Sequence, residues 1–219
     1  VTTGALGGTT ALESFNATGD NVSITGAITT NIDVNVIATD DAAGAITTSG
    51  AVTSNNGAIE LTAQGGVDAT ISLGGDVTAD DDASFNGNVT LAAGADSFSA
   101  GDAVDFTGNL TGAGEDVVIT AAELSISGSG LVTVNSLDTT GVGLTTLNDD
   151  VSIDTTGLIT LGDLIGAHLL TLTSVGADVE LRDAAIQALT IDAAVNVDFA
   201  GNFDTTGNAA LTGVTGVTT

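Results

Sequence analysis

The chain has 219 residues, 28 acidic side chains against one basic one, Arg182, and a formal net charge of −27. It contains no Lys, Pro, Cys, Met, Trp or Tyr, and six Phe. Those absences exclude disulfides and cysteine-bound metals within it, leave nothing to neutralise nucleic-acid phosphates, and disfavour docking on anionic lipid.

With 42% hydrophobic residues and a mean hydropathy of +0.42, the chain lies well outside the disordered regime. Its apolar residues are small, so a thin, elongated core suits them better than one thick globule. No apolar run is long enough to span a membrane and no positively charged leader is present, so no membrane insertion is expected. An Asp-rich, Lys-free surface suits salty or calcium-bearing water, which points to an extracellular, cell-surface location.

Short alternations of apolar and polar residues, opened by Asn, Asp or Ala, recur along the chain. In order they are Asn21-Val22-Ser23-Ile24, Ala58-Ile59-Glu60-Leu61, Asn88-Val89-Thr90-Leu91 and Asp116-Val117-Val118-Ile119, then Asp150-Val151-Ser152-Ile153, Asp178-Val179-Glu180-Leu181 and Asn196-Val197-Asp198-Phe199. A period of two among β-branched residues predicts strands with one buried face. From Ile59 to Val89 is 30 residues, Val89 to Val117 28, Val117 to Val151 34, and Val151 to Val179 28. An aliphatic residue followed by Thr recurs at Thr29, Thr53, Thr78, Thr111, Thr133, Thr160, Thr190 and Thr212, with a mean interval of (212 − 29)/7, about 26 residues.

Between Asp150 and Ala177, strand-like pieces at 151–153, 158–161 and 169–173 are separated by Thr156-Gly157, Gly162-Asp163 and Gly166. Three strands and three turns per repeat describe one coil of a parallel β-helix. The expected fold is all-β, with residues 1–219 forming a single β-solenoid segment of about eight coils, a rod about 38 Å long at about 4.8 Å per coil. The absence of Pro agrees, because a stacked coil needs almost every backbone N–H. Tandem immunoglobulin-like repeats are the competing fold, but they usually spend Pro in loops and Tyr or Trp in the core. Both ends read as a repeat interrupted midway. The segment is therefore expected to lie within a longer chain or to stack end to end into fibres.

The stretches Gly57-Ala58-Ile59-Glu60-Leu61-Thr62-Ala63-Gln64-Gly65-Gly66-Val67 and Gly87-Asn88-Val89-Thr90-Leu91-Ala92-Ala93-Gly94-Ala95 resemble the repeats of filamentous-haemagglutinin-type and autotransporter adhesins. That resemblance implies a right-handed parallel β-helix displayed on a bacterial surface, and it implies no particular receptor.

Chemistry-bearing residues are sparse. Asp80-Asp81-Asp82, with Asp40-Asp41 and Asp149-Asp150, supply the hard oxygens that calcium takes, although neither the EF-hand spacing nor a Gly-Gly-x-Gly-x-Asp nonapeptide occurs. Solvated turns are the plainer reading, and Asp80, Asp81 and Asp82 stand as speculative calcium ligands. His168 lacks triad partners in any recognisable register, and Arg182 is expected to pair with a neighbouring carboxylate. Paired carboxylates can cleave glycosidic bonds, but this chain has no aromatic platform and one cation to hold a sugar. Threonine arrays on a flat β-helix face can order ice. Here Thr171-Leu172-Thr173 is a lone outward pair, and Thr29-Thr30, Thr47-Thr48 and Thr139-Thr140 place neighbours on opposite faces, so the sequence disfavours that reading. Sequons at Asn16, Asn21, Asn88 and Asn109 are expected by chance in so Thr-rich a chain.

The sequence therefore leads to a non-enzymatic structural component of an extracellular bacterial fibre, sheath or adhesin stalk, with no required cofactor. The alternative is a calcium-dependent adhesive module that binds glycans or surfaces.

Overall fold

The computed structural model describes residues 1–219 apart from Thr9, Gly66, Val67 and Ser129, and apart from the side chain of Ala113. The stretch 57–67 quoted above therefore has its last two residues outside the described set. Among the described residues there are 24 strands and no helix, and the strands stack in parallel as a β-solenoid of about ten turns.

Each turn lays one strand on each of three faces. The first face includes Asn21–Ile24, Ala45–Thr48, Thr70–Leu73 and Asn88–Leu91. The second includes Ile28–Thr30, Val52–Ser54, Val77–Thr78 and Ser97–Ser99. On the third lie Val34–Ala38, Ile59–Ala63, Ala83–Asn86 and Ala103–Phe106. Further along, Leu110–Ile126, Leu131–Leu147 and Ala184–Phe199 keep pairing round the corners, the first of them through register shifts near Gly112 and Val118.

The coil is shorter than the 26 to 34 residues expected from the repeat markers. Register offsets run from 25 residues, where Val34 faces Ile59, to 18, where Val179 faces Val197. Shorter coils make more of them, about ten rather than eight, and a rod of roughly 48 Å rather than 38 Å. The markers misled because they change face. Ile59 lies on the third face and Val89 on the first, so their interval is one coil plus part of another.

Burial follows the period of two, as in Val34–Ala38, where buried and half-buried residues alternate. Inward residues stack into columns. The longest on the first face runs Val22, Ile46, Ile71, Val89, Leu110, Val132, Ile153, Leu172, Ile191 and Leu211, each the register partner of the next. A triangular cross-section this narrow admits few large side chains. Phe85, Phe98 and Phe106 meet at its middle, with ring centroids 5.1 to 5.3 Å apart. Buried Ala83 and Ala100 make room for them.

Coil corners raise a separate problem. At several corners a strand's first N–H points at a part of the previous coil that is still turning and finds no ladder carbonyl, although Thr70 N and Asn88 N reach the carbonyls of Gly44 and Ala69. Asp and Asn side chains fill the gap. Asn21 Oδ1 accepts from Ala45 N, Asp33 from Ala58 N and Asp82 from Ala103 N, at 2.9 to 3.1 Å. Asn88 accepts from Asn109 N, Asp150 from Leu169 N, Asp178 from Asn196 N and Asp183 from Asn202 N. In each case the donor is the register partner one coil on. The Asn/Asp-Val-x-Ile/Leu motif thus reads as corner cap, inward residue, outward residue, inward residue. The sequons at Asn21 and Asn88 follow from the same grammar, because a cap is followed two residues later by an outward Ser or Thr.

Two inward hydroxyls, Thr48 Oγ1 and Thr145 Oγ1, are buried without a hydrogen-bond partner, an arrangement that costs about 1 to 3 kcal/mol per group. Replacing both with Val keeps their shape, so the Thr48→Val/Thr145→Val protein is expected to have a higher urea midpoint than wild type. Phe85→Ala is expected to lower stability by about 3 to 5 kcal/mol. Urea unfolding followed by circular dichroism measures both. A Val pair that destabilises would show that the hydroxyls are satisfied in solution.

Candidate functional site

Asp80, Asp81 and Asp82 are exposed on the corner between the second and third faces. Their polar atoms serve the backbone. Asp82 Oδ1 caps Ala103 N at 3.1 Å, the Asp82 carbonyl accepts from Ile59 N at 2.8 Å, and Asp81 N donates to the Gly57 carbonyl at 3.3 Å. Above them Gly101 is required, because a Cβ there would fall 1.8 Å from the Asp80 carbonyl oxygen. Among the described residues no group of three or more His, Cys, Asp or Glu is arranged to hold a metal ion.

His168 Nδ1 lies 3.7 Å from Asp150 Oδ1, close enough for an ion pair when the imidazole is protonated. That carboxylate already caps Leu169 N at 2.9 Å. Among the described residues Arg182 has no carboxylate within ion-pair distance, contrary to the pairing expected from its neighbours; its backbone N–H joins the ladder to Leu161.

A cluster of four carboxylates, Asp76, Asp96, Glu115 and Asp116, spans three successive coils. The side-chain hydrogen bond between Asp96 and Glu115 raises the Asp96 pKa, and partial burial and the charges of Glu115, Asp76 and Asp116 add to the rise. Asp116 moves the other way, because Ser136 and Asn135 donate to its carboxylate at 2.7 and 2.6 Å. The relay continues as Thr156 Oγ1 donates to Asn135 Oδ1 at 2.6 Å. It forms one wall of an open groove of about 310 Å³, also lined by Thr133, Asp154, Thr173 and Val175.

Stacking brings together something that no single strand reveals. On the first face the outward residues Thr2, Ser23, Thr47, Ser72, Thr90, Thr111, Thr133, Asp154 and Thr173 are consecutive register partners. Beside them runs a second outward column, Asn21, Ala45, Thr70, Asn88, Asn109 and Leu131, in the coils from Asn21 to Thr133. Over those six coils neither column carries a charge. A shorter column on the second face, Thr29, Thr53, Thr78, Ser99 and Thr120, is flanked by acids such as Asp76. The sequence held one hint of this. Thr is the polar residue with the best strand propensity, yet alignment into columns depends on coil lengths that vary from 18 to 25 residues.

No protein-family model, no curated protein and no solved structure matches this chain.

Two outcomes are expected. Asp82→Asn keeps an acceptor for Ala103 N and should leave stability nearly unchanged, whereas Asp82→Ala should cost about 1 kcal/mol. A melt comparison separates capping from metal ligation, because a lost calcium ligand would abolish any calcium-induced shift in both variants alike. For the carboxylate cluster, a group held above its ordinary range stabilises the fold in acid and loses that contribution as pH rises through its folded pKa; a lowered group does the reverse. In a carbon-detected NMR titration Asp96 should titrate above, and Asp116 below, the ordinary aspartate range. Asp96→Asn should accordingly raise the melting temperature at neutral pH in low salt, and less so in acid.

Proposed function

We propose that this chain is a mechanical element, a β-solenoid segment of a secreted bacterial surface protein that serves as an adhesin stalk or as a unit of an extracellular filament or sheath. The observation that carries this reading is the continuity of the ladders, which pair each coil with the next through only local register shifts. Inward columns pass from coil to coil without interruption, and corner caps carry the hydrogen bonding across each bend. A rod bonded this way resists bending and shear, since many backbone bonds must break together. The likeness of residues 57–67 and 87–95 to filamentous-haemagglutinin-type repeats supports the cell-surface part of the reading.

Leu211 and Val217 continue the inward columns yet are 42% and 53% exposed.

Acidity sets the working conditions of such a rod. Glu180 and Asp198 are register partners, as are Asp163 and Asp183 by continuation of the ladder at Leu164 and Ala184. Two carboxylates one rung apart repel by about 0.9 kcal/mol in water. Salt near seawater strength shortens the Debye length to roughly 4 Å and removes most of that repulsion. Calcium in the surrounding water acts in the same direction as a diffuse counter-ion.

Negative-stain microscopy and small-angle scattering test the reading. Slender particles with a cross-section set by one coil, or fibres built from them, are expected, and the melting temperature should climb with added salt or calcium. A compact scattering profile, or a melting temperature indifferent to ionic strength, would overturn it. Calcium-dependent recognition on a glycan array would instead favour an adhesive module.

A further inference from the structure

The uncharged part of the first face stands apart from the rest of this molecule. Acidic residues make up 28 of the 219, yet none occurs in the two outward first-face columns across six successive coils. One outward column there is hydroxyl-bearing throughout, from Ser23 to Thr133. In the other, Asn21, Asn88 and Asn109 are fixed by their caps onto Ala45 N, Asn109 N and Leu131 N at 2.9 to 3.2 Å. The border towards the third face is kept low by small residues, among them Gly108, where a Cβ would fall 2.5 Å from the Gly87 carbonyl oxygen. The result is a flat, rigid grid about 24 Å long, with rungs about 4.8 Å apart and columns about 6.7 Å apart.

We propose that this face binds ice, holding surface water in positions that the ice lattice can adopt. The rung spacing lies within a few tenths of an ångström of the oxygen repeat along the a axis of hexagonal ice. Neutrality is required, because a charge orients its own hydration shell against the lattice. A soluble sugar suits the face poorly. Each hydrogen bond to it replaces one to water for a small net gain, and with no aromatic platform the cost of association is not offset. Ice needs no such exchange, since its surface is continuous with the hydration layer of the face. Many weak contacts then add through the rigidity of the grid. The second-face threonine column, with charges at its side, lacks this property and serves as the internal control.

The test uses the whole 219-residue chain in ice-recrystallisation and ice-partitioning assays. Wild type should be taken up into a growing ice front and should halt recrystallisation at micromolar concentration. Thr90→Tyr/Thr111→Tyr breaks the flatness of the first face and should raise the concentration required by roughly tenfold or more. Thr53→Tyr/Thr78→Tyr on the second face should leave it unchanged. Circular dichroism melts establish that each variant folds. Exclusion of the wild-type protein from ice overturns the proposal, as does equal loss in both double variants. Neither result bears on the stalk reading, which rests on particle shape.

Discussion

Every strand in this molecule depends on its neighbouring coils for hydrogen-bond acceptors, and that single dependence organises the rest. A parallel ladder satisfies the flat stretches, but at the corners it would leave N–H groups facing empty turns. The answer is a side-chain oxygen placed one residue before the inward position, supplied by Asn21, Asp33, Asp82, Asn88, Asp150, Asp178 and Asp183. Asp and Asn suit this task because their short side chains reach a backbone donor without losing much rotamer freedom. Part of the acidity, Asp33, Asp82, Asp150, Asp178 and Asp183, is therefore structural in origin. The absence of Pro has the same root, since each ring would delete a donor that the neighbouring coil expects.

Stacking also sets the kind of core the chain can have. Each coil encloses a narrow triangle whose corners are already taken by turns, so Val, Ile, Leu and Ala fill it and aromatic rings are confined to places where neighbouring residues are small. Phe85, Phe98 and Phe106 interlock in one such place, two edge-to-face contacts and one stacked pair. Where an inward position is a hydroxyl, satisfaction depends on the local turn. Thr30 reaches the Ile32 carbonyl at 3.1 Å, whereas Thr48 and Thr145 reach nothing. The column tolerates these defects because aliphatic neighbours above and below hold the rung in place.

The alternation around Val22, Val89 and Val151, the turns and the missing Pro made the all-β, parallel, repeating architecture legible from the sequence. The length of the coil was not legible. Aliphatic-Thr markers occur on two faces, and a sequence period cannot distinguish a full coil from a coil plus a face. The corner caps were visible as the residues that open each alternation, but their purpose was not, because their partners lie 18 to 25 residues away. Asp80, Asp81 and Asp82 looked like a cation site because three carboxylates are adjacent in sequence. In the fold Asp82 Oδ1 accepts from the Ala103 backbone N–H, a role that adjacency along the chain does not disclose.

Charge segregation is what links the structural reading to the surface one. A rod carrying −27 repels its own copies along every acidic edge, which keeps neighbouring rods apart in dilute salt. The corners need an Asp or Asn oxygen to cap the ladder, and most outward positions of the flat faces need neither. On the first face the caps are the neutral Asn21, Asn88 and Asn109, and strand propensity fills the neighbouring outward column with Thr and Ser. A neutral grid between acidic corners then follows from ladder geometry. The same backbone rule that makes the rod stiff fixes the spacing and flatness of that grid, so rigidity and surface order have one physical cause.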